Sequence, residues 1–388
     1  MRLVLMSTLL IQTAGPVTAQ PSATTASVRS LVFSDDGTRL AAGSMPQGRG
    51  GVVVVWDVAT RKVVSKYDRA GESPTVVFAP DGKAIVLANG RASLTLLDPA
   101  AGTKTGEWGR FPSEVTSVER GPDGQWLALG KDNRVHVWDV ADKKVVRSFG
   151  TGKRVYAWAA SPKGGWLFVG GEGGDKLWNI RTGEEAAGAF RARPGTVGRG
   201  VFMSEDRLLV SNNMGTHRVV EVPSGKEQLR FKNEGGPDVI AYSPAAGLMA
   251  NRYAMDRSFG LTPLSLRPPN DAEKARVAAL LKECDSDDYP TRERAAAALA
   301  EIGPAPEPLL RQAMADGSSA EVRMRARVAR ETILNKPRFR PAGHADEIRP
   351  IVFSPDGKLV ASGAADGLVI LWDPATGKEV ARLNGVGE

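Results

Sequence analysis

The stretch GHADEIRPIVFSPDGKLVASGAADGLVILWDPATGKEVARLNG, residues 343–385, decides the fold. Runs rich in Val, Ile, Leu, Phe and Trp occupy residues 348–354, 359–363, 368–372 and 379–383, and Gly, Pro and Asp punctuate the gaps. Short apolar runs bounded in this way read as β-strands, because Pro and Gly supply the backbone angles that tight turns need. The unit is therefore four strands joined by turns.

The turn signal SPDG at 354–357 has six earlier counterparts: SDDG at 34–37, APDG at 79–82, GPDG at 121–124, SPKG at 161–164, SEDR at 204–207 and SPAAG at 243–247. A second signal, Trp372-Asp373, recurs as Trp56-Asp57, Leu97-Asp98, Trp138-Asp139, Trp178-Asn179 and a degraded Val220-Glu221, at first intervals of 41, 41, 40 and 42 residues. A four-stranded unit repeated at about 40–45 residues is the pattern of propeller blades. Seven copies predict a mainly β chain: a seven-bladed β-propeller of four-stranded antiparallel blades.

These residues resemble the WD-repeat family of β-propellers. The likeness runs nearly throughout 343–385 and covers residues 28–267 and 336–385; copies one and three keep Trp-Asp, two and four keep half of it, five is weak and six has lost it. The resemblance implies that His344, Ser362, Asp366 and Trp372 form a structural hydrogen-bond relay, which accounts for their superficial likeness to a Ser-His-Asp triad. It also implies that the face where the inner strands begin receives protein or peptide partners. Aligned on the turn signal, the rim positions of that face are Arg29, Pro74, Thr116, Tyr156, Arg199, Asp238 and Arg349. Arg and Tyr are favoured at binding hot spots, so Arg29, Tyr156, Arg199 and Arg349 are the candidate partner-binding residues. A closed ring places Arg29 beside Arg349, and a protein or acidic peptide is the expected partner. The family usually closes its ring with a strand borrowed from the opposite end. Residues 20–27 are short and polar, so closure here is expected to rest on packing of blade one against blade seven unless those residues supply an outer strand of blade seven.

Turn signals six and seven lie 110 residues apart, from Gly247 to Gly357, so a segment has been inserted late in blade six. Its composition shifts to Ala, Glu, Arg and Leu. Asp271 is placed to cap a helix carrying Val277, Leu280 and Leu281; a second follows Tyr289 and Pro290; a third holds Leu309, Leu310 and Met314; and Ser318 with Glu321 has capping-box spacing at the start of a fourth. The pattern DSDDYPTRERAAAALAEIGPAPEPLLRQAM at 285–314 resembles HEAT-type repeats, and WD-repeat chains with such helices resemble secreted bacterial proteins of planctomycete type. Two repeats fall short of an independent solenoid, so the helices are expected to lean on the propeller. Arg323, Arg327 and Arg330 recur at helical spacing and form a second candidate binding stripe, with no aromatic residues beside them to favour nucleic acid. The organisation is thus a leader at 1–19, blades one to six at 20–267, helices at 268–335 and the remainder of the propeller at 336–388. With residues 1–27 and 268–335 set aside, 293 residues remain, about 42 for each of seven blades.

Arg2, an apolar stretch over 3–11 and the small residues Val17 and Ala19 ahead of Gln20 read as a secretory signal peptide, which places the mature chain in the periplasm or outside the cell. No later stretch approaches the ~20 apolar residues of a membrane span. The net charge of +7 favours acidic partners without selecting one. One cysteine and three dispersed histidines among 388 residues exclude an intrachain disulfide and leave little for a metal site. GGEGGDK at 170–176 and GTGK at 150–153 lack the Lys-Ser/Thr ending of a phosphate loop, His136 and His217 read as structural, and Cys284 sits beside Asp285, which discourages a nucleophile. The expectation is a monomeric, non-enzymatic interaction scaffold without cofactor. The alternatives are a hydrolase or lactonase-like enzyme at the central channel, which needs convergent acidic or His residues at the channel mouth where the rim supplies only Asp238, and a purely structural envelope module.

Overall fold

The computed structural model describes residues 26–386 except 47–49, 69, 187–198, 213–214, 233–239, 254–256 and 266. The expected leader and Asp238 lie outside the described residues. Seven antiparallel sheets follow one another along the chain, five with four strands and two with three. Their inner strands are Ala26–Phe33, Thr75–Phe78, Val115–Arg120, Val155–Ala160, Arg199–Ser204, Ile240–Ser243 and Ile348–Phe353. Each contacts the next in order and the last contacts the first, which closes the ring. The fold is a seven-bladed β-propeller with four helices in a late segment.

The turn chemistry works as the sequence requires. In the last blade Ser354 donates its hydroxyl to Asp356 and accepts the Leu359 amide, while Gly357 takes a φ of 72°, where a side chain is disfavoured. The strands that result are Ile348–Phe353, Val360–Ala364, Val369–Trp372 and Glu379–Leu383.

Among the described residues the ring closes without a borrowed strand. Ala26 and Ser27 open the inner strand of blade one, and the outer strand of blade seven is its own Glu379–Leu383. What joins the two blades is an apolar seam: Val28, Leu31, Phe33, Leu40, Val54 and Trp56 of blade one pack with Ala361, Val369, Leu371, Leu383 and Val386. The C-terminal segment is hydrogen-bonded over blade one, with Trp56 Nε1 donating to the Asn384 carbonyl at 2.9 Å and Ser44 Oγ donating to the Val386 carbonyl at 3.3 Å.

Blades four and six are the three-stranded sheets, and each is extended by isolated bridges. In blade four Glu185 pairs with Trp178. In blade six Phe339 and Ala342 pair with Leu261 and Ser258 of its third strand, so the chain leaves after that strand, builds the helices and returns as the outer edge. The helices are α1 (Asp271–Glu283), α2 (Tyr289–Ala300), α3 (Glu307–Asp316) and α4 (Ala320–Asn335). Two caps differ from the sequence reading by one residue. Asn270, not Asp271, caps α1 in a reciprocal box with Glu273, and Ser319, not Ser318, caps α4, because Ser318 donates instead to Asp285 at 2.8 Å. The helices share one core with blades five and six, in which Val277, Leu299, Leu310, Val322 and Ile333 meet Leu209, Val219, Leu229, Phe231 and Met249.

Val386 is 1% exposed and stands at the seam. Val386→Ala should destabilise the chain by about 2 kcal/mol, seen as a lower denaturant midpoint. A loss below about 0.5 kcal/mol would mean that the terminal segment does not hold the ring closed.

Candidate functional site

The inner strands surround a central channel, and it holds a cavity of about 530 Å³ lined by residues of blades three to seven. Four sequence-derived rim residues line it together: Thr116, Tyr156, Arg199 and Arg349. Arg29 projects from a bulge between Val28 and Ser30 and is exposed. Its guanidinium is held below the usual value, first by partial burial and then by the like charge of Arg349, with Glu347 acting in the opposite sense. The two arginines thus stand close enough to feel one another across the blade-seven seam. Arg349 pairs with Glu347 at 3.0 Å, and Glu347 is also bonded by Arg252. The bond from Arg252 leads the influences that keep the Glu347 carboxyl below its usual range, so one carboxylate serves three neighbouring arginines and the patch stays basic.

The remaining rim positions serve the wall. Pro74 is buried and its carbonyl accepts the Ser30 hydroxyl at 2.8 Å, while Thr116 donates to the Leu129 carbonyl at 3.2 Å. Tyr156 donates to Glu172 at 2.5 Å, and Arg154 lies 5.3 Å from its ring centroid, so both ends of the side chain's surroundings are charged.

One channel residue escaped the sequence reading. Glu119 lines the same cavity, three residues further along its strand than Thr116. Its Oε2 accepts the Ala160 amide at 3.1 Å, but burial dominates and pushes the carboxyl up to about 7, with no charged group among the described residues to offset it. The signal was available: the equivalent position in the other six copies is Val32, Val77, Ala159, Phe202, Ala241 or Val352. A single acid in an otherwise apolar column marks a departure from the repeat.

The relay in blade seven is complete. His344 Nδ1 lies 3.1 Å from Asp366, His344 Nε2 lies 2.8 Å from Ser362 Oγ, and Trp372 Nε1 donates to the same Oγ at 2.8 Å. A carboxylate only accepts, so Nδ1 carries the proton and Nε2 accepts from the Ser362 hydroxyl. Burial acts to raise Asp366, but the bonds from His344 and from the Leu368 and Ala345 amides outweigh it and hold the carboxyl below its usual range. Ser362 is fully buried and His344 nearly so. The geometry is that of a structural strut. His136 meets Asp132 and Ser148 in blade three, and His217 meets Ser211 while stacking on Phe231 in blade five.

In the helical segment Arg323 donates to the Gly317 carbonyl at 2.8 Å, and Arg330 pairs with the buried Glu307 at 2.6 Å and reaches the Arg230 carbonyl of blade five. The two ends of the expected stripe are therefore tied into the fold, and of the three arginines only Arg327 is exposed. Cys284 is fully buried, and burial leads the causes that raise its thiol above the usual value. Among the described residues no cluster of three or more His, Cys, Asp or Glu gathers as metal ligands, and no helix is long and apolar enough to cross a membrane.

Two outcomes follow from these geometries. His344→Ala strands a buried carboxylate and should cost about 3 kcal/mol in chemical denaturation, whereas a loss near zero would show the relay to be dispensable. For Glu119, the folded chain keeps the proton up to about pH 7 while the unfolded chain releases it near 4.5, so stability falls as pH rises between the two and the loss is complete above the higher value. Glu119→Gln removes the ionisation and keeps an acceptor for Ala160. Its Tm should match that of the parent near about pH 4 and exceed it by roughly 2 °C or more near about pH 8.5; an equal gap at both would show that another group titrates.

Three stretches of the chain, residues 16–57, 106–139 and 335–373, match the family model described as WD domain, G-beta repeat. Protein HIR1 of Candida albicans is 31% identical over 123 residues, which is 31% of this chain and 12% of that protein. Protein Mut11 of Chlamydomonas reinhardtii is 39% identical over 69 residues, 18% of either chain. The small ribosomal subunit protein RACK1z of Arabidopsis thaliana is 50% identical over 42 residues, 11% of this chain and 13% of that one. These matches span less than a fifth of the relatives' own length. The solved β-propeller domain of Cps50 (Swd1) from Myceliophteria thermophila superposes with a TM-score of 0.59 at 14% identity, covering 92% of this chain and 96% of that one. This likeness is one of fold: the chain is a β-propeller, and three of its stretches are similar to WD repeats.

Proposed function

We propose that this WD-repeat propeller is an exported, non-enzymatic scaffold whose channel mouth receives an acidic segment of a protein partner. The observation that carries the reading is the basic mouth: Arg349 and Arg199 line one cavity with Tyr156, and Arg29 stands close enough to Arg349 to be depressed by its charge. Guanidinium groups recognise carboxylates through paired, charge-assisted hydrogen bonds, and Tyr supplies contact area at little entropic cost. The leader-like residues 1–19 support export. An enzymatic reading would draw on Glu119, whose raised carboxyl suits proton transfer near neutrality. Hydrolysis needs a second acidic group or an activated nucleophile beside it, and among the described residues the cavity lining supplies neither.

The test is affinity capture from an envelope extract with residues 20–388, run beside a variant carrying Arg29→Ala, Tyr156→Ala and Arg349→Ala whose Tm is unchanged. A partner held by the parent and reduced at least tenfold by the variant is the expected result. Equal capture by both would move the binding face away from the mouth.

A further inference from the structure

Glu119 has no role in the basic mouth. Its carboxylate lies on the channel wall, and the strands packed against its own, Thr75–Phe78, Ile85–Ala88, Trp126–Gly130 and Val155–Ala160, carry no titratable side chain except Tyr156. That tyrosine is committed to Glu172. The next residue on its own strand, Arg120, makes a two-pronged bond to Asp35 of blade one, with Nη1 at 2.6 Å from Oδ2, and leaves Glu119 without a cation among the described residues. Glu119 is half-buried, and partly desolvating a carboxylate without a cation costs free energy, which the other six copies avoid with an apolar residue at this position.

Beside Glu119 the same cavity is lined by Trp158, whose indole N–H is fixed by a 2.8 Å bond to Ser117 Oγ. A carboxylate with an indole next to it is the pairing that holds organic cations, through charge on one side and the ring quadrupole on the other. A divalent metal ion suits it poorly, since one carboxylate cannot supply the six or more oxygens such ions take. The cavity, at about 530 Å³, is of the size that encloses a small ligand or a peptide side chain.

We propose that the channel takes a ligand bearing both charges: a carboxylate at the mouth on Arg349 and Arg199, and a guanidinium or alkylammonium group lodged against Glu119 and Trp158. The anionic half rests on the proposed function of the mouth; the cationic half does not. The tethered pair of charges can come from a peptide or from a free amino-acid-like molecule, and two pairs of probes separate them. One pair is blocked Asp-Gly-Arg and blocked Asp-Gly-norleucine; the other is free L-arginine and free L-norleucine.

Calorimetric titration of residues 20–388 near about pH 8.5 should give at least a tenfold preference for the guanidinium member of one pair, and that pair names the source. Glu119→Gln should abolish the preference, and its Tm, matched to the parent's near about pH 4, secures its folding. In the parent the preference should shrink towards about pH 5, where Glu119 is protonated and the guanidinium is not affected. Arg349→Ala should weaken both members of the binding pair alike. Absence of a preference, a preference that survives Glu119→Gln, or no heat from any probe at about millimolar concentration would each overturn the assignment of Glu119. If Arg349→Ala changes nothing while Glu119→Gln erases the preference, the reading of the mouth fails and that of Glu119 stands.

Discussion

A ring of wedges has to close, because an open propeller leaves the apolar faces of its first and last blades in water. Among the described residues no strand crosses the seam, so closure there is a packing problem rather than a ladder of hydrogen bonds. The seam meets it with the same geometry as an ordinary blade boundary. A Cβ on Gly43 would stand 2.2 Å from the Pro74 carbonyl oxygen of blade two, and one on Gly363 would stand 2.5 Å from Val28 of blade one, so glycine permits the same close approach at both places. Burial of each large apolar side chain contributes about 1.5–3 kcal/mol, against about 0.5–1.5 kcal/mol for each ladder bond a borrowed strand would add. A seam holding Trp56, Phe33, Leu40 and Leu371 therefore gains more from packing than such a ladder would supply.

The same constraint explains where the helices could enter. An insertion between inner strands would break the ring, but one between the third strand of blade six and its outer edge leaves every inner contact in place. Four short helices lack a sufficient core of their own, and they obtain it from the outer surface of blades five and six. Polar ties then fix the orientation: Arg330 bridges the buried Glu307 and blade five, and Arg311 donates to the Gln228 carbonyl. Arg325, nearly buried, is matched by Glu293 and Glu321, so its charge is offset within the helical unit.

Blade seven was readable almost to the residue, since turn signal, strand pattern and relay all agree there: strands expected at 348–354 and 379–383 lie at Ile348–Phe353 and Glu379–Leu383. The caps were harder because Asn270-Asp271 and Ser318-Ser319 each offer two adjacent residues with equal local chemistry, and the choice is made by Asp285 and Glu273, which sequence spacing does not place. Helical periodicity put Arg323, Arg327 and Arg330 on one face but could not say that Glu307 and a blade-five carbonyl meet the last of them. The arginines at the mouth were legible because alignment on the turn fixes strand register. Glu119 was not legible in the same way, because it lies three residues further along its strand than the rim column, at a position where the other copies carry apolar residues.

A sevenfold repeat tends towards a featureless channel, since equivalent positions carry equivalent residues. Recognition therefore has to come from positions where copies differ, and in this chain the differences are unevenly placed. The arginines at the mouth belong to blades five, seven and one, while Glu119, further along the wall, belongs to blade three, roughly across the ring. Above about pH 7 the field inside the cavity thus has a direction, positive at the mouth and negative at Glu119, in walls whose remaining lining includes Ala157, Trp158, Ala159, Val201, Pro350 and Ile351. Apolar walls screen such a field far less than water does. A ligand of a single charge can satisfy one end of it, and only a molecule carrying both charges can satisfy the whole.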